Sequence, residues 1–194
     1  VWVWTRMPSA RSLCGSYSDK LALNLSRYSR DIVESEKYKK CFGLELRSDQ
    51  NTKGLFMNRN GGYRYAVGVN GTVTGFHGHF LICDDPINPE QALSELELAT
   101  ANNWLSESFA NRKVDKNTTT LILIMQRLHQ YDPSAMFLER KNVKHICLPA
   151  EATEKISPPE LRDRYVDGLM DPIRLSRKIL EEEESRGQYY YGGQ

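Results

Sequence analysis

The stretch that decides the fold is Phe80-Leu81-Ile82-Cys83-Asp84-Asp85-Pro86: four apolar residues, two adjacent carboxylates, then proline. A continuous apolar run without alternation reads as a strand buried on both faces, the pattern of a parallel sheet. Pro86 and Pro89 exclude helix up to residue 89, and residues 90–110 then read as one long helix, with Ala92, Leu96, Ala99, Trp104 and Phe109 approximately on one face. Residues 119–125 form a second continuous apolar run, and residues 143–148, ahead of Pro149, a shorter third. Buried strands alternating with helices predict an α/β fold, a mostly parallel sheet with helices on both faces.

Toward the N-terminus, residues 12–17 read as a short strand and residues 19–35 as a helix. Ser18 is its N-cap, and Leu21, Leu25, Tyr28, Ile32 and Val33 fall at helical spacing. Gly54-Leu55-Phe56-Met57 and Tyr63-Arg64-Tyr65-Ala66-Val67 flank the turn residues Asn60-Gly61-Gly62 and read as a hairpin. A glycine-rich loop, residues 68–78, leads from the hairpin into the Phe80 strand. Near the other end, residues 171–187 read as a final helix, opened by Pro172 and stopped by Gly187.

Ligands of an open parallel sheet bind at the carboxyl ends of its strands. Two carboxylates at the end of a buried strand are costly unless a cation or hydrogen-bond donors meet them. One of the pair, Asp84 or Asp85, can hold Mg²⁺ through a partly hydrated octahedral shell, and the other can orient or deprotonate an attacking water. Four apolar residues followed by two acids is the Walker B arrangement, and it equally fits a strand end that caps the next helix. After the second run come Gln126-Arg127-Leu128-His129, where a nucleotide-driven motor keeps a γ-phosphate sensor and where an ordinary protein has a surface turn. The glycine-rich loop can wrap phosphate with its backbone N–H groups, but it lacks the G-x-x-x-x-G-K-[ST] spacing and equally fits a connecting loop.

The bulk properties are those of a globular chain: 194 residues, 40% hydrophobic, 26% charged, net charge +1. That balance gives no global attraction to nucleic acid, so any DNA contact would be a local patch. The basic cluster Lys37, Lys39 and Lys40 suits either DNA phosphate or a solvated helix end, and the acidic run Glu181 to Glu184 marks a solvent-facing helix. The four cysteines (Cys14, Cys41, Cys83 and Cys147) lie far apart, without C-x-x-C spacing, and read as buried reduced thiols of a cytosolic protein. His77 and His79 have no third ligand nearby in the sequence. No apolar run reaches a membrane span, and Val1-Trp2-Val3-Trp4 is too short for a signal segment. Both ends read as cut, which makes a fragment the expectation.

Taken in order, the segments Ser16-Tyr17-Ser18, Asp49-Gln50-Asn51-Thr52-Lys53, Gly61-Gly62-Tyr63-Arg64, Gly75-Phe76-His77-Gly78, Leu81-Ile82-Cys83-Asp84-Asp85-Pro86, Ala101-Asn102-Asn103-Trp104, Gln126-Arg127-Leu128-His129 and Leu148-Pro149-Ala150-Glu151 resemble the large subunit of the tailed-bacteriophage terminase. The turn from Asp167-Gly168-Leu169 to Asp171-Pro172 and the closing Tyr/Gln segment continue the series. The resemblance covers nearly the whole chain.

The resemblance implies an additional-strand P-loop ATPase that works with an RNase H-like nuclease. Such a protein uses ATP and Mg²⁺ to cut concatemeric double-stranded phage DNA and pump it into the prohead. Its expected partners are the portal protein and the small terminase subunit, and it acts as a homo-oligomeric ring in the bacterial cytoplasm, away from any membrane. Residues 1–150 would be the later part of the ATPase and residues 151–194 a linker toward the nuclease. No Gly-Lys-[Ser/Thr] triplet occurs in these residues, so the Walker A loop and the nuclease carboxylates are expected outside them and this piece alone is expected to be inactive. By position Asp84 matches the Mg²⁺ ligand, and Asp85 matches the base, where many relatives have Glu. Gln126 and Arg127 match the motif that couples hydrolysis to DNA movement, with His129 continuing it. Phe76-His77 stand where some relatives carry a basic residue, which leaves Arg64 as a stand-in for a transition-state arginine or as a hairpin charge. Two other identities share the acid pair: a helicase of the same ATPase class, and a non-catalytic prophage remnant.

Overall fold

Two of the sequence's three continuous apolar runs, residues 80–83 and 119–125, meet in one sheet. The computed structural model describes the backbone of residues 1–191 and side chains through residue 186, in two compact units that divide after Glu139. In the first unit, β1 (Ser12–Ser16), β4 (Tyr63–Gly68), β5 (Phe80–Asp84) and β6 (Thr120–Ile124) run parallel, and β2 (Leu46–Asn51) and β3 (Leu55–Asn58) extend the sheet antiparallel. The strand order is β2-β3-β4-β1-β5-β6. The fold is therefore α/β with a six-stranded, mostly parallel sheet, and the expected hairpin is β3–β4.

Side-chain alternation divides the sheet into two faces. Leu13, Tyr63, Val67, Leu81 and Cys83 point to one, where Trp104, Leu105 and Phe109 cover them. Phe56 and Phe80 point to the other and meet Val33 and Tyr38, from α1 (Asp19–Glu34) and α2 (Glu36–Phe42), together with Trp4. Helices thus lie on both faces. Ser18 caps α1, its hydroxyl accepting from the Leu21 N–H. The buried stripe of α1 shares Val33 with the expected one but otherwise differs: Ala22 and Ser26 face inward with it, while Tyr28 and Ile32 are about half exposed. Small residues let the helix come close to the sheet, where a Cβ on Gly68 would collide with Asp19.

Four expectations need correction. The helix expected over residues 90–110 is a 3-10 turn (Gln91–Leu93), a Ser94-capped α3 (Glu95–Asn103) and a π turn (Trp104–Phe109). Ser94 restarts the helix, which turns Leu98 and Ala101 inward and leaves Leu96 exposed. Residues 143–148 are not a strand. Val143, Ile146 and Leu148 are exposed, and Cys147 makes only an isolated antiparallel bridge to Ser157. The last helix, α5 (Arg177–Tyr191), starts later than Pro172 and passes through Gly187. At its expected start, Asp171 instead closes a turn, accepting from the N–H groups of Arg174 and Leu175. Of the four free thiols Cys14 and Cys83 are buried, but Cys41 is exposed and Cys147 half-buried. β2, α2 and a short α4 (Pro133–Leu138) were not foreseen.

The second unit contains isolated bridges, a 3-10 turn (Pro159–Arg164) and α5, with Ile156 and Leu169 buried. Arg177 ties it together, donating to Glu151 at 3.1 Å and to the Asp167 carbonyl at 2.8 Å. No helix among the described residues is long and apolar enough to cross a membrane.

Candidate functional site at the carboxyl edge of the sheet

The parallel strands end side by side in Gly68, Ser16, Asp84 and Ile124. Asp85 follows directly and joins the two neighbours of β5. Its N–H donates to the Ile124 carbonyl and its carbonyl accepts from the Tyr17 N–H, each at 2.8 Å. To do so it adopts φ +44°, a left-handed conformation that is uncommon outside glycine and strained in most residues. The acid pair therefore sits at a locked corner between β1, β5 and β6, and Asp85 is exposed to solvent there.

Partial desolvation at this corner first, and then the negative charge of Asp84, push the Asp85 carboxyl above its ordinary value, while the nearby Gln126 backbone amide pulls it down. The Asp85 N–H bond to the Ile124 carbonyl brings the end of β6 against the acid pair, so two separately predicted parts of the site lie side by side. The Asp84 carboxylate itself has no hydrogen-bond or ion-pair partner among the described residues. It extends the row Phe80, Ile82, Asp84 on the α1 face of the sheet.

Arg127 turns into its own loop. Its guanidinium donates to the carbonyls of His129 at 3.1 Å and Gln130 at 3.3 Å, and approaches Asp132 at 3.7 Å. Asp132, fully buried, organises this loop. It accepts from the N–H groups of Leu128, His129 and Ala135 and from the Ser134 hydroxyl. Burial alone would push its carboxyl up, but these bonds, that of Ser134 first, hold it below the ordinary value. Sequence reading missed Asp132, although Asp132-Pro133 carries the N-cap and N1 signature of a helix start.

The other candidates lie elsewhere. His79 is at the opposite, amino end of β5, its Nδ1 accepting from the Arg11 N–H, and His77 is held through its backbone by the Tyr63 hydroxyl. Arg64, on β4, lies half-buried against the Cys14 sulfur rather than on the surface. Lys37, Lys39 and Lys40 lie on α2. The glycine-rich loop runs from the carboxyl end of β4 to the amino end of β5 as a packed crossover. Phe76 stacks on Tyr65 at 4.0 Å, and Trp104 and Tyr65 donate to the carbonyls of Gly71 and Thr72. An open polar groove of about 570 Å³ runs beside it, between Asn70, Thr72 and Thr74 and Asn103, Glu107 and Arg112.

No three His, Cys, Asp or Glu residues gather in metal-ligand geometry among the described residues. Mg²⁺ in a nucleotide site needs fewer, one or two carboxylates completed by water and phosphate oxygens. The pair fits that demand: an unpartnered Asp84 carboxylate, its neighbour Asp85, and beside them a buried Ser16 hydroxyl that also lacks a partner. No protein-family model matches the chain, and no curated protein matches it.

Proposed function

We propose that this chain is part of the ATP-hydrolysing, DNA-packaging motor of a phage terminase large subunit, with Asp84 as the Mg²⁺ ligand. The observation that carries the reading is the acid pair at the carboxyl edge of a central parallel strand, locked by the Asp85 backbone to the ends of β1 and β6. A second observation supports the finer fold, an additional-strand P-loop ATPase. β6 is an edge strand, yet its sequence Thr-Leu-Ile-Leu-Ile is that of an interior one, and Ile124 is 53% exposed. A further parallel strand on that side would bring a phosphate-binding loop beside Asp84.

In this reading Asp84 would hold a hydrated Mg²⁺, which would neutralise charge on the nucleotide phosphate oxygens. Asp85 orients the attacking water, and its raised proton affinity suits it to take a proton from that water. An Asp is one methylene shorter than the Glu of many relatives, and the left-handed backbone at residue 85 sets its carboxylate direction instead. Gln126 reports the state of the site to the loop that Asp132 and Arg127 brace, and that loop transmits it toward DNA. Double-stranded DNA, the portal protein, the small subunit and a homo-oligomeric ring in the host cytoplasm belong to this proposal. The gene tests it: the reading frame upstream of Val1 should encode a strand followed by G-x-x-x-x-G-K-[ST] or a close variant. An intact gene without one overturns the ATPase reading.

A further inference from the structure

Ser16 ends β1 on the same edge. The parallel register pairs Gly15 with Cys83, so the next residues, Ser16 and Asp84, are neighbours. Alternation places both on the α1 face, with Cys14 and Ile82 one pair before them. Ser16 is fully buried, and its Oγ has no hydrogen-bond partner. Asp84 beside it has none either. A buried donor without a partner thus stands on the strand beside a half-exposed carboxylate that no described residue pairs, and an unpaired buried hydroxyl destabilises a fold. Helix packing alone gives no reason for a hydroxyl there, since alanine would fill nearly the same space.

We propose that Ser16 is a positioning residue of the cation site. Its Oγ–H donates to the Asp84 carboxylate when that carboxylate turns onto the divalent cation, fixing which oxygen faces the metal. Hydrogen bonds of this kind orient metal-bound carboxylates throughout metalloproteins. The proposal rests on reading Asp84 as a cation ligand. Ser26 supplies a control, because it is equally buried and unpaired but lies on α1, seven residues and about 10 Å along the helix from Asp19.

The test titrates the polypeptide encoded by the complete gene with Mn²⁺, an octahedral oxygen-seeking substitute for Mg²⁺, followed by electron paramagnetic resonance, and melts each variant without metal. Ser16→Ala should weaken Mn²⁺ binding about 10-fold, the lower end of such effects, while its metal-free melting temperature stays level or rises. Ser26→Ala should leave Mn²⁺ affinity unchanged, and Asp84→Asn should abolish binding. Wild-type affinity in Ser16→Ala, with binding lost in Asp84→Asn, overturns the role of Ser16 and leaves the cation site standing. Binding that is absent from the wild type, or unchanged in Asp84→Asn, overturns the cation reading and the role of Ser16 together.

Discussion

Replacing Asp132 by alanine should unravel the loop between β6 and α4. The carboxylate caps α4 by accepting from the Ala135 N–H, and loss of such a cap costs about 1 kcal/mol. The Leu128 and His129 N–H groups lose their acceptor as well, at about 1 kcal/mol each when water reaches them only in part. Arg127 adds little, because its side chain is 51% exposed. The sum is about 3 kcal/mol, or roughly 6–12 °C in melting temperature for a chain of this length. Asp132→Asn keeps one acceptor oxygen and should fall between the two. The effect should depend on pH in a defined direction. A carboxyl held below its unfolded value stabilises fully above about pH 3.9 and loses that contribution as pH falls through its folded value. Melts at neutral pH and near pH 2 should therefore show a large gap between wild type and Asp132→Ala that closes in acid. A neutral-pH gap under about 0.5 kcal/mol, the size of an ordinary surface substitution, would refute the bracing role.

Gly15→Ala should destabilise by roughly 1–3 kcal/mol, as overpacking does. An added Cβ would stand 3.0 Å from Trp104, which is pinned by its bond to the Gly71 carbonyl and stacked on Phe109; unchanged stability in urea denaturation would show that the indole can move. Asp85→Asn tests the raised carboxyl. A folded value above the unfolded one contributes stability in full below about pH 3.9, and that contribution is lost as pH rises through the folded value. Metal-free melts of wild type and Asp85→Asn should therefore coincide near pH 3 and favour asparagine, which also tolerates the left-handed backbone, at pH 7. A less stable asparagine variant at pH 7 contradicts the raising of this carboxyl by burial and by the charge of Asp84.

The core strands were legible because burial on both faces demands continuous apolar runs, as in β5 and β6, and Ser18 announced α1 by its capping chemistry. β2 was not, since Arg47, Ser48, Asp49 and Gln50 belong to an exposed edge strand held by backbone pairing with β3 rather than by burial. Residues 143–148 misled in the opposite sense, apolar in sequence but exposed in place. The inward face of α1 was hidden for a related reason, because close approach to the sheet selects Ala22 and Ser26 over larger side chains nearby. At the site, Asp84, Asp85 and Gln126 could be named from the sequence. The backbone bond of Asp85 to the end of β6, the anchoring by Asp132 and the nearness of Ser16 to Asp84 depend on strand order and register, which no local pattern encodes.

The central claim is that Asp84 holds the catalytic magnesium of an ATP-driven motor. It is tested most directly by ATP turnover and nucleotide binding measured together on the polypeptide encoded by the complete gene, with and without Asp84→Asn. The account predicts Mg²⁺-dependent turnover in the wild type and a loss of at least ~100-fold in the variant, the scale of removing a transition-state charge stabiliser, with nucleotide binding largely retained. Turnover at the wild-type rate in Asp84→Asn would contradict it.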